Sequence, residues 1–339
     1  MFTALNGWRF ILSLIMVWFH MPIWKPENSN FGNPIVTFFF ILSGFLITLS
    51  YKDSISSKRI SIKDFIVKRS ATIFPIQWLF TLLFVCFSII VVSYWAIPFH
   101  MTLTQSLIPL WEIDFTLNTP CWFLSSLFVC YIITPFLFRL QINRNRFTLL
   151  YLAVLIFWHT FVNILPDTIG QRWLCYINPF ARMLNYGCGI ILAMYWSEIK
   201  KFIEFIARNK TSQTLIEVIV IFLFSISLLN IPLFGLNKLL GIGSVLLDIF
   251  ICLFISVFCV SDGILTKILK LPFFDKLGKI AIAIYMCHTF IIHYTLPLLE
   301  QSVLLYIFIS YTTIIIISFI LEKYYCRYTK NIFMRYLGK

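Results

Sequence analysis

The stretch ALNGWRFILSLIMVWFHMPIW, Ala4 to Trp24, decides how this chain is read. It is long enough for one membrane crossing, which takes about 20 mostly apolar residues. Yet it carries two ionisable side chains, Arg9 and His20. Such a group at membrane depth costs roughly 2.5–3.5 kcal/mol on insertion scales, so it is retained mainly where it serves a function. At about 100° per residue, eleven steps bring a helix to within about 20° of its start. Arg9 and His20 therefore project from one face, roughly 16 Å apart along the axis, and predict a path lined from one surface toward the other. Taken alone, the pair also fits a simpler reading, in which the arginine reaches to headgroups and the histidine is satisfied inside the bundle.

The remaining chain repeats the apolar pattern. Of 339 residues, 60% are hydrophobic and 12% charged, with a mean hydropathy of +0.89. A soluble domain carries about a quarter charged residues. The expected fold is all-α, a polytopic transmembrane helix bundle forming one integral membrane domain over 1–339. About ten spans can be drawn, at 4–24, 34–51, 74–95, 120–138, 147–165, 179–196, 214–231, 240–260, 277–297 and 303–322. The first is too long for a removable signal and no small-residue cleavage site follows it, so it is expected to be a true span.

The net charge of +13 is ordered by this arrangement. Of 27 Lys and Arg residues, 22 fall on one side, in 52–73, 139–146, 197–213 and 261–276, near Lys279, and in the tail from Lys323. The other side holds Lys25, Arg172 and Lys238, while Arg9 and Arg182 lie within spans. The positive-inside rule then places both termini in the cytoplasm. The basic excess is a topology signal and an attraction to anionic membrane lipid, not a nucleic-acid groove. Nine scattered cysteines without a CxxC pair suggest neither a metal site nor a disulfide framework. The longest cytoplasmic connection is Lys52–Ile73. The longest outer one, Ala96–Thr119 with His100, Glu112 and Asp114, reads as a re-entrant segment over the mouth of the bundle or as a loop resting on headgroups.

Five motifs resemble, in order, those of the acyltransferase-3 family of integral membrane acyltransferases. Leu5-Asn6-Gly7-Trp8-Arg9, with His20, is similar to its L-D/N-G-x-R element and Arg-x10-His pattern. Phe38-Phe39-Phe40-Ile41-Leu42-Ser43-Gly44-Phe45-Leu46-Ile47 resembles its phenylalanine-rich second span. Pro120-Cys121-Trp122-Phe123-Leu124-Ser125, followed by Tyr131, is similar to its W-F-L element. Pro179-Phe180-Ala181-Arg182, with Gly187 and Gly189, resembles its P-x-x-R…G segment. Leu277-Gly278-Lys279 and Ile284-Tyr285-Met286-Cys287-His288 are similar to its late L-G…Y-x-x-H element. Two positions depart from the pattern. Thr72 stands where an arginine often precedes the third-span proline, Pro75, and Asn185 replaces an acid after Arg182.

The resemblance implies transfer of an acyl group, expected to be acetyl, from cytoplasmic acyl-CoA to a hydroxyl of a surface polysaccharide or lipid-linked glycan. It implies a multi-pass protein of a bacterial cytoplasmic membrane, with acetyl-CoA as substrate and no permanently bound cofactor. A homo-oligomer is left open. Because a thioester is already activated, the protein must position it, deprotonate the hydroxyl and stabilise the oxyanion. His20 is the expected general base, since imidazole titrates near neutral pH, with an acyl-histidine as the less favoured route. Arg9 would bind the CoA phosphates or the thioester region through its forked donors, with Lys68 and Arg69 as the cytoplasmic clamp. Arg182 would orient the acceptor, or snorkel.

Ser43 and Gly44 are read as admitting a narrow acyl-pantetheine arm, or a neighbouring helix. Trp122, Ser125 and Tyr131 are expected to line the same cavity. Asp248, alone in its span, is a candidate partner for Arg182 or Arg9, or a protonated structural group. His288 is placed as a structural or supporting residue before a catalytic one, and His159 and His293 as satisfied core. The three turns between Arg9 and His20 have to be bridged by the donor's flexible arm or by a channel that brings both substrates together. A cavity reaching Arg9 but not His20 would count against this mechanism. A lipid-linked glycan transporter or flippase is the main competing reading, disfavoured by the lack of internal repeats, and a non-catalytic export subunit is the third. With no esterase-like domain attached, the chain is expected to act alone or to hand its acyl group to a partner.

Overall fold

A computed structural model describes residues 2–23, 32–87, 94–164, 173–228 and 242–337. Lys25, Arg172 and Lys238, three of the residues that orient the charge argument, lie outside them. The protein is all-helical, with no strand among the described residues. The principal helices are α1 (Thr3–His20), α2 (Gly32–Ser56), α3 (Ile62–Cys86), α4 (Trp122–Arg139), α5 (Arg144–Ile164), α6 (Pro179–Met194), α7 (Trp196–Ile206), α8 (Lys210–Leu228) and α9 (Ile242–Val260). They continue as α10 (Ile264–Leu269), α11 (Pro272–Lys279), α12 (Ala281–Thr295), α13 (Val303–Ile320) and α14 (Arg327–Leu337).

Seven helical stretches among the described residues are long and apolar enough to cross a membrane. They comprise α2, α3, α4, α5, α8, α12 with the turn that follows it, and α13 continued through α14. The other three expected spans are also helical. In α1 the Arg9 and His20 side chains dilute the apolar content, α6 has 16 residues, and in α9 the apolar stretch is Val245–Val260.

The connection expected over 52–73 is mostly helix. Only 57–61 separates α2 from α3, turning at Lys58, whose φ is 60°. Ser61 caps α3 by accepting a hydrogen bond from the Asp64 backbone N–H at 3.0 Å, and Asp64 in the first turn complements the helix dipole. Lys68 and Arg69 thus stand on a rigid helix rather than a loop. The tail is likewise helical: Leu321–Cys326 is a π turn leading into α14, which packs on α3 through Phe333 on Trp78, ring centroids 5.8 Å apart.

Two pairs of motifs turn out to be packing joints. In the first, an ideal Cβ on Gly278 would sit 2.4 Å from the Asn6 carbonyl oxygen, and one on Gly7 would sit 2.7 Å from Leu269 Cδ2. Asn6 Nδ2 also donates to Asp275 Oδ1 at 2.8 Å. The opening L-N-G-x-R element is therefore clamped to the late L-G element. In the second joint α2 meets α6: a Cβ on Gly44 would lie 2.1 Å from the Tyr186 carbonyl oxygen, and one on Gly189 would lie 2.0 Å from that of Ile41. Small residues let two backbones approach this closely inside a membrane.

The segment before α4 is not a loop on the headgroups. It folds into short helical turns whose His100, Gln105, Ser106, Asp114 and Asn118 are buried. Ser125 Oγ donates to the Leu103 carbonyl at 2.7 Å, and Asn118 Nδ2 donates to the Met286 carbonyl at 2.9 Å. The segment is thereby tied to α4 and α12.

Candidate active site

Three turns of α1 carry the two ends of the site. At the Arg9 end, α1, α2, α3, α4 and α12 enclose a cavity of about 230 Å³. Arg9, Ser13, Ser43, Arg69, Thr72 and Tyr131 supply its polar lining. Among the described residues, the Arg9 guanidinium makes one hydrogen bond, a long one of 3.5 Å from Nη1 to Asn6 Oδ1. Arg69 Nη2 donates to the Tyr51 hydroxyl at 2.7 Å, its guanidinium lies 4.9 Å from that ring centre, and its buried Nε has no hydrogen-bond partner among the described residues. Neither arginine is ion-paired there. Glu322, in the π turn, lies within electrostatic range of Arg9 and pairs with Arg327 at 3.8 Å instead. Two guanidiniums around one cavity, each with donors left unused among the described residues, have the chemistry to receive an anion.

At the other end His20 meets His288. His288 Nε2 is 3.2 Å from His20 Nδ1, His20 Nδ1 is 2.9 Å from the Met16 carbonyl oxygen, and His288 Nδ1 is 3.2 Å from that of Ile284. With both rings neutral, one proton arrangement satisfies all three contacts. His288 carries its proton on Nδ1, donates it to Ile284, and turns the Nε2 lone pair toward His20. His20 carries its proton on Nδ1, shared between Met16 and His288, which puts its basic lone pair on Nε2. The opposite tautomers would set ring lone pairs against carbonyl oxygens. A proton gained at His20 Nε2 would be supported by His288, the part that an orienting acceptor plays beside any catalytic imidazole.

The two ends are not joined. The cavity's far wall is formed by Phe39, Phe123 and Tyr285, and neither histidine lines it. Phe123 stacks against Tyr285 at 5.1 Å and against Phe39 at 6.2 Å, while Tyr285 lies 5.8 Å from His288. The Tyr285 hydroxyl donates to the Pro120 carbonyl at 2.8 Å, which holds the ring in the gap. The single cavity expected to reach both Arg9 and His20 is thus not formed by the described residues. A rigid bundle would keep them apart.

The other expected site residues divide by location. Ser43 and Tyr131 do line the cavity, as neighbours on its wall. Lys68 is exposed outside it, 5.6 Å over the Tyr51 ring. Gly44 faces α6 rather than the cavity, so its smallness serves packing. Ser125 bonds to Leu103 and to Ser106 Oγ at 2.7 Å, anchoring the buried segment. Trp122 stacks on Tyr176 at 4.8 Å, beside Arg182. His293 is exposed, not core, and edges onto Tyr294 at 5.7 Å.

Arg182 and Asp248 form a second polar centre. Arg182, 3% exposed, donates from Nε to the Tyr176 carbonyl at 2.6 Å, from Nη1 to Thr37 at 3.4 Å and Asn185 at 3.0 Å, and from Nη2 to Asn33 at 3.2 Å. Asn185 Nδ2 then donates to Asp248 Oδ1 at 2.9 Å. The substitution that removed an acid beside Arg182 has put an amide relay there, with the carboxylate moved to α9. His159 lines the pocket at this centre.

Sequence reasoning passed over Ser13, Phe39, Phe123 and Tyr285 as cavity-lining residues. Ser13 had a signal, since it lies one turn from Arg9 on the same face and donates to the Arg9 carbonyl at 2.7 Å. The aromatic wall had none beyond membership in the motifs. No group of three or more His, Cys, Asp or Glu residues able to hold a metal occurs among the described residues.

No curated protein and no solved structure matches this chain. A family model described as an acyltransferase domain matches residues 2–323, nearly the whole chain. The chain belongs to the acyltransferase-3 family, and it is a membrane acyltransferase.

Proposed function

We propose that this protein transfers an acetyl group from cytoplasmic acetyl-CoA to a hydroxyl of a surface polysaccharide or lipid-linked glycan, in the cytoplasmic membrane of a bacterium. The observation that carries the donor side is the Arg9 guanidinium, lining a cavity of about 230 Å³ with a single long hydrogen bond. Arg9 and Arg69 hold the phosphates of the CoA moiety, and the pantetheine arm runs past Ser13 and Ser43. On this reading the Arg9 end, with its excess of basic residues, faces the cytoplasm.

The acceptor hydroxyl gives its proton to His20 Nε2 as its oxygen forms a bond to the thioester carbonyl carbon. The carbon–sulfur bond then breaks, and the CoA thiolate leaves with the proton from His20. His288 positions His20 throughout and takes no proton of its own. Direct transfer requires the thioester end to displace the Tyr285 ring from its bond to Pro120, a movement that costs about one hydrogen bond, or about 0.5–1.5 kcal/mol.

The test is acetyl transfer by the full chain in lipid nanodiscs, supplied with acetyl-CoA and the envelope glycan of the source cell and read by mass spectrometry of the glycan. Acetyl-CoA should bind with an affinity that Arg9→Ala weakens about 10- to 100-fold. Binding unchanged in Arg9→Ala would overturn the donor assignment, and a glycan left unmodified would overturn the acceptor class.

A further inference from the structure

The Arg182 centre lies away from the donor cavity, and its valences are not all spent. A guanidinium has five N–H donors. Four of those on Arg182 go to neutral oxygens: the Tyr176 carbonyl, Thr37, Asn185 and Asn33. The second Nη2 N–H and the Asp248 Oδ2 oxygen have no partner among the described residues. Asn185 bridges the two, oxygen to Arg182 and nitrogen to Asp248, so the guanidinium and the carboxylate are held one amide apart.

These groups line a pocket of about 50 Å³. At roughly 10–15 Å³ for each water-sized group, that is room for about four, the size of the hydroxyl-bearing edge of one sugar ring. The charges in the pocket cancel, one guanidinium against one carboxylate. A phosphate would meet the Asp248 carboxylate, and besides Arg182 the only titratable side chain of basic type among the described lining residues is His159. A hydroxyl fits, donating to Asp248 Oδ2 while accepting from Arg182 Nη2.

The walls tell how a ligand arrives. Leu155 and Trp158 of α5 face Leu247 of α9 across the pocket. Among the seven spanning stretches α5 is the least embedded, with 11% of its apolar window buried, and Leu152, Ile156 and Phe157 around it are exposed. The pocket thus has a polar floor and an apolar rim on a flank that faces lipid.

We propose that the Arg182–Asn185–Asp248 pocket binds the uncharged, hydroxyl-bearing sugar headgroup of a membrane lipid that enters sideways between α5 and α9. The inference rests on the acyltransferase reading above for the role of that lipid as acceptor. The binding itself is tested apart from it.

The experiment uses the full chain in phosphatidylcholine nanodiscs with two photoreactive probes of equal chain length, an alkyl β-D-glucoside and an alkyl phosphate. Each carries a diazirine next to its headgroup, and cross-linked peptides are mapped by mass spectrometry. The glucoside should label the peptides around Leu155–His159 and Leu247–Asp248 about tenfold more than the phosphate, the ratio expected from two matched hydrogen bonds. Leu155→Trp, which fills the rim without touching the polar floor, should cut that labelling about fivefold. An unfolding temperature in detergent equal to that of the unaltered chain shows that the variant is folded. Equal labelling by the two probes, a stronger phosphate signal, or glucoside labelling unaffected by Leu155→Trp would each overturn the proposal. A chain that labels as expected yet transfers no acetyl group would overturn the acyl-transfer reading and leave this site standing.

Discussion

Arg9 and Arg182 are the two arginines that the chain carries within its apolar stretches, and the bundle treats them in opposite ways. Arg182 is wrapped: four hydrogen bonds, the Tyr176 ring at 4.6 Å, and a carboxylate one amide away. Arg9 has one long hydrogen bond and a cavity. A charge held in low dielectric with partners on four of its five donors is fixed by the protein's own architecture and keeps one donor with which to orient a neutral group. A charge that lacks them at the edge of a cavity is prepared for a ligand that brings the opposite sign. Burial alone does not separate these cases, since both side chains sit deep in the bundle. The count of satisfied donors does.

The largest expected effect falls on the axis that Arg9 begins. His20→Ala should lower acetyl transfer by roughly a thousandfold, within the usual range for a positioned general base, while leaving acetyl-CoA binding intact. His288→Ala should fall short of that loss and shift the pH profile of transfer. Wild-type transfer by a folded His20→Ala variant would remove the base from the mechanism.

The two arginines themselves should separate next. Arg182→Ala strands the Asp248 carboxylate and should destabilise the bundle by about 3–5 kcal/mol, seen as a lower unfolding temperature in detergent. Arg9→Ala should leave that temperature nearly unchanged and weaken donor binding by about 10- to 100-fold, the value of a charge-assisted contact. Equal thermal losses in the two variants would dissolve the contrast.

Smaller effects sharpen the boundary between the cavity and the histidines. Tyr285→Phe removes the hydroxyl that donates to Pro120, worth about 1 kcal/mol, and should raise acceptor-independent CoA release about fivefold by loosening the wall. An unchanged or slower release would mean that the ring does not stand in the donor's way.

A separate effect, confined to the pH dependence of stability, lies in the buried segment before α4. Burial pushes the Asp114 carboxyl from 3.8 up to about 8. The folded form therefore keeps a proton that the unfolded chain gives up near pH 4, and stability falls as pH rises from about 4 to about 8. Burial also pushes His100 from 6.5 down to about 4, so its contribution is lost as pH falls from about 6.5 to about 4. Asp114→Asn should raise the unfolding temperature at pH 8 and leave it unchanged at pH 4. The same shift at both pH values would show that the carboxyl does not titrate in that window.

Much of the bundle was legible in the chain because apolar length is a local property, and each expected span is largely helical over its described residues. The shared face of Arg9 and His20 was legible for the same reason, since helical periodicity needs no neighbours. The start of α3 was not. Six basic residues within 52–73 read as a solvated loop, but a charged first turn with a serine cap is also how a helix begins at a membrane surface. The His20–His288 contact joins residues 268 apart, and no spacing rule reaches that far. Gly44 was ambiguous in principle, because an acyl arm and a neighbouring backbone both require a missing side chain. Only the position of Tyr186 decides between them. Asn185 shows the same limit in another form. A lost acid reads as a broken ion pair until α9 is seen to return the carboxylate from 63 residues away.

The aromatic wall has one more consequence. A protein fed by a donor from one side of a membrane and an acceptor from the other risks becoming a leak. A continuous thread of water from Arg9 to His20 would conduct protons, each worth about 2.3 kcal/mol per 100 mV of membrane potential. On the proposed reading, Phe39, Phe123 and Tyr285, which line the cavity, would stand across that route as an electrical insulator. The cell can then keep its potential while the enzyme waits, and the seal need yield only for as long as an acyl arm itself fills the gap.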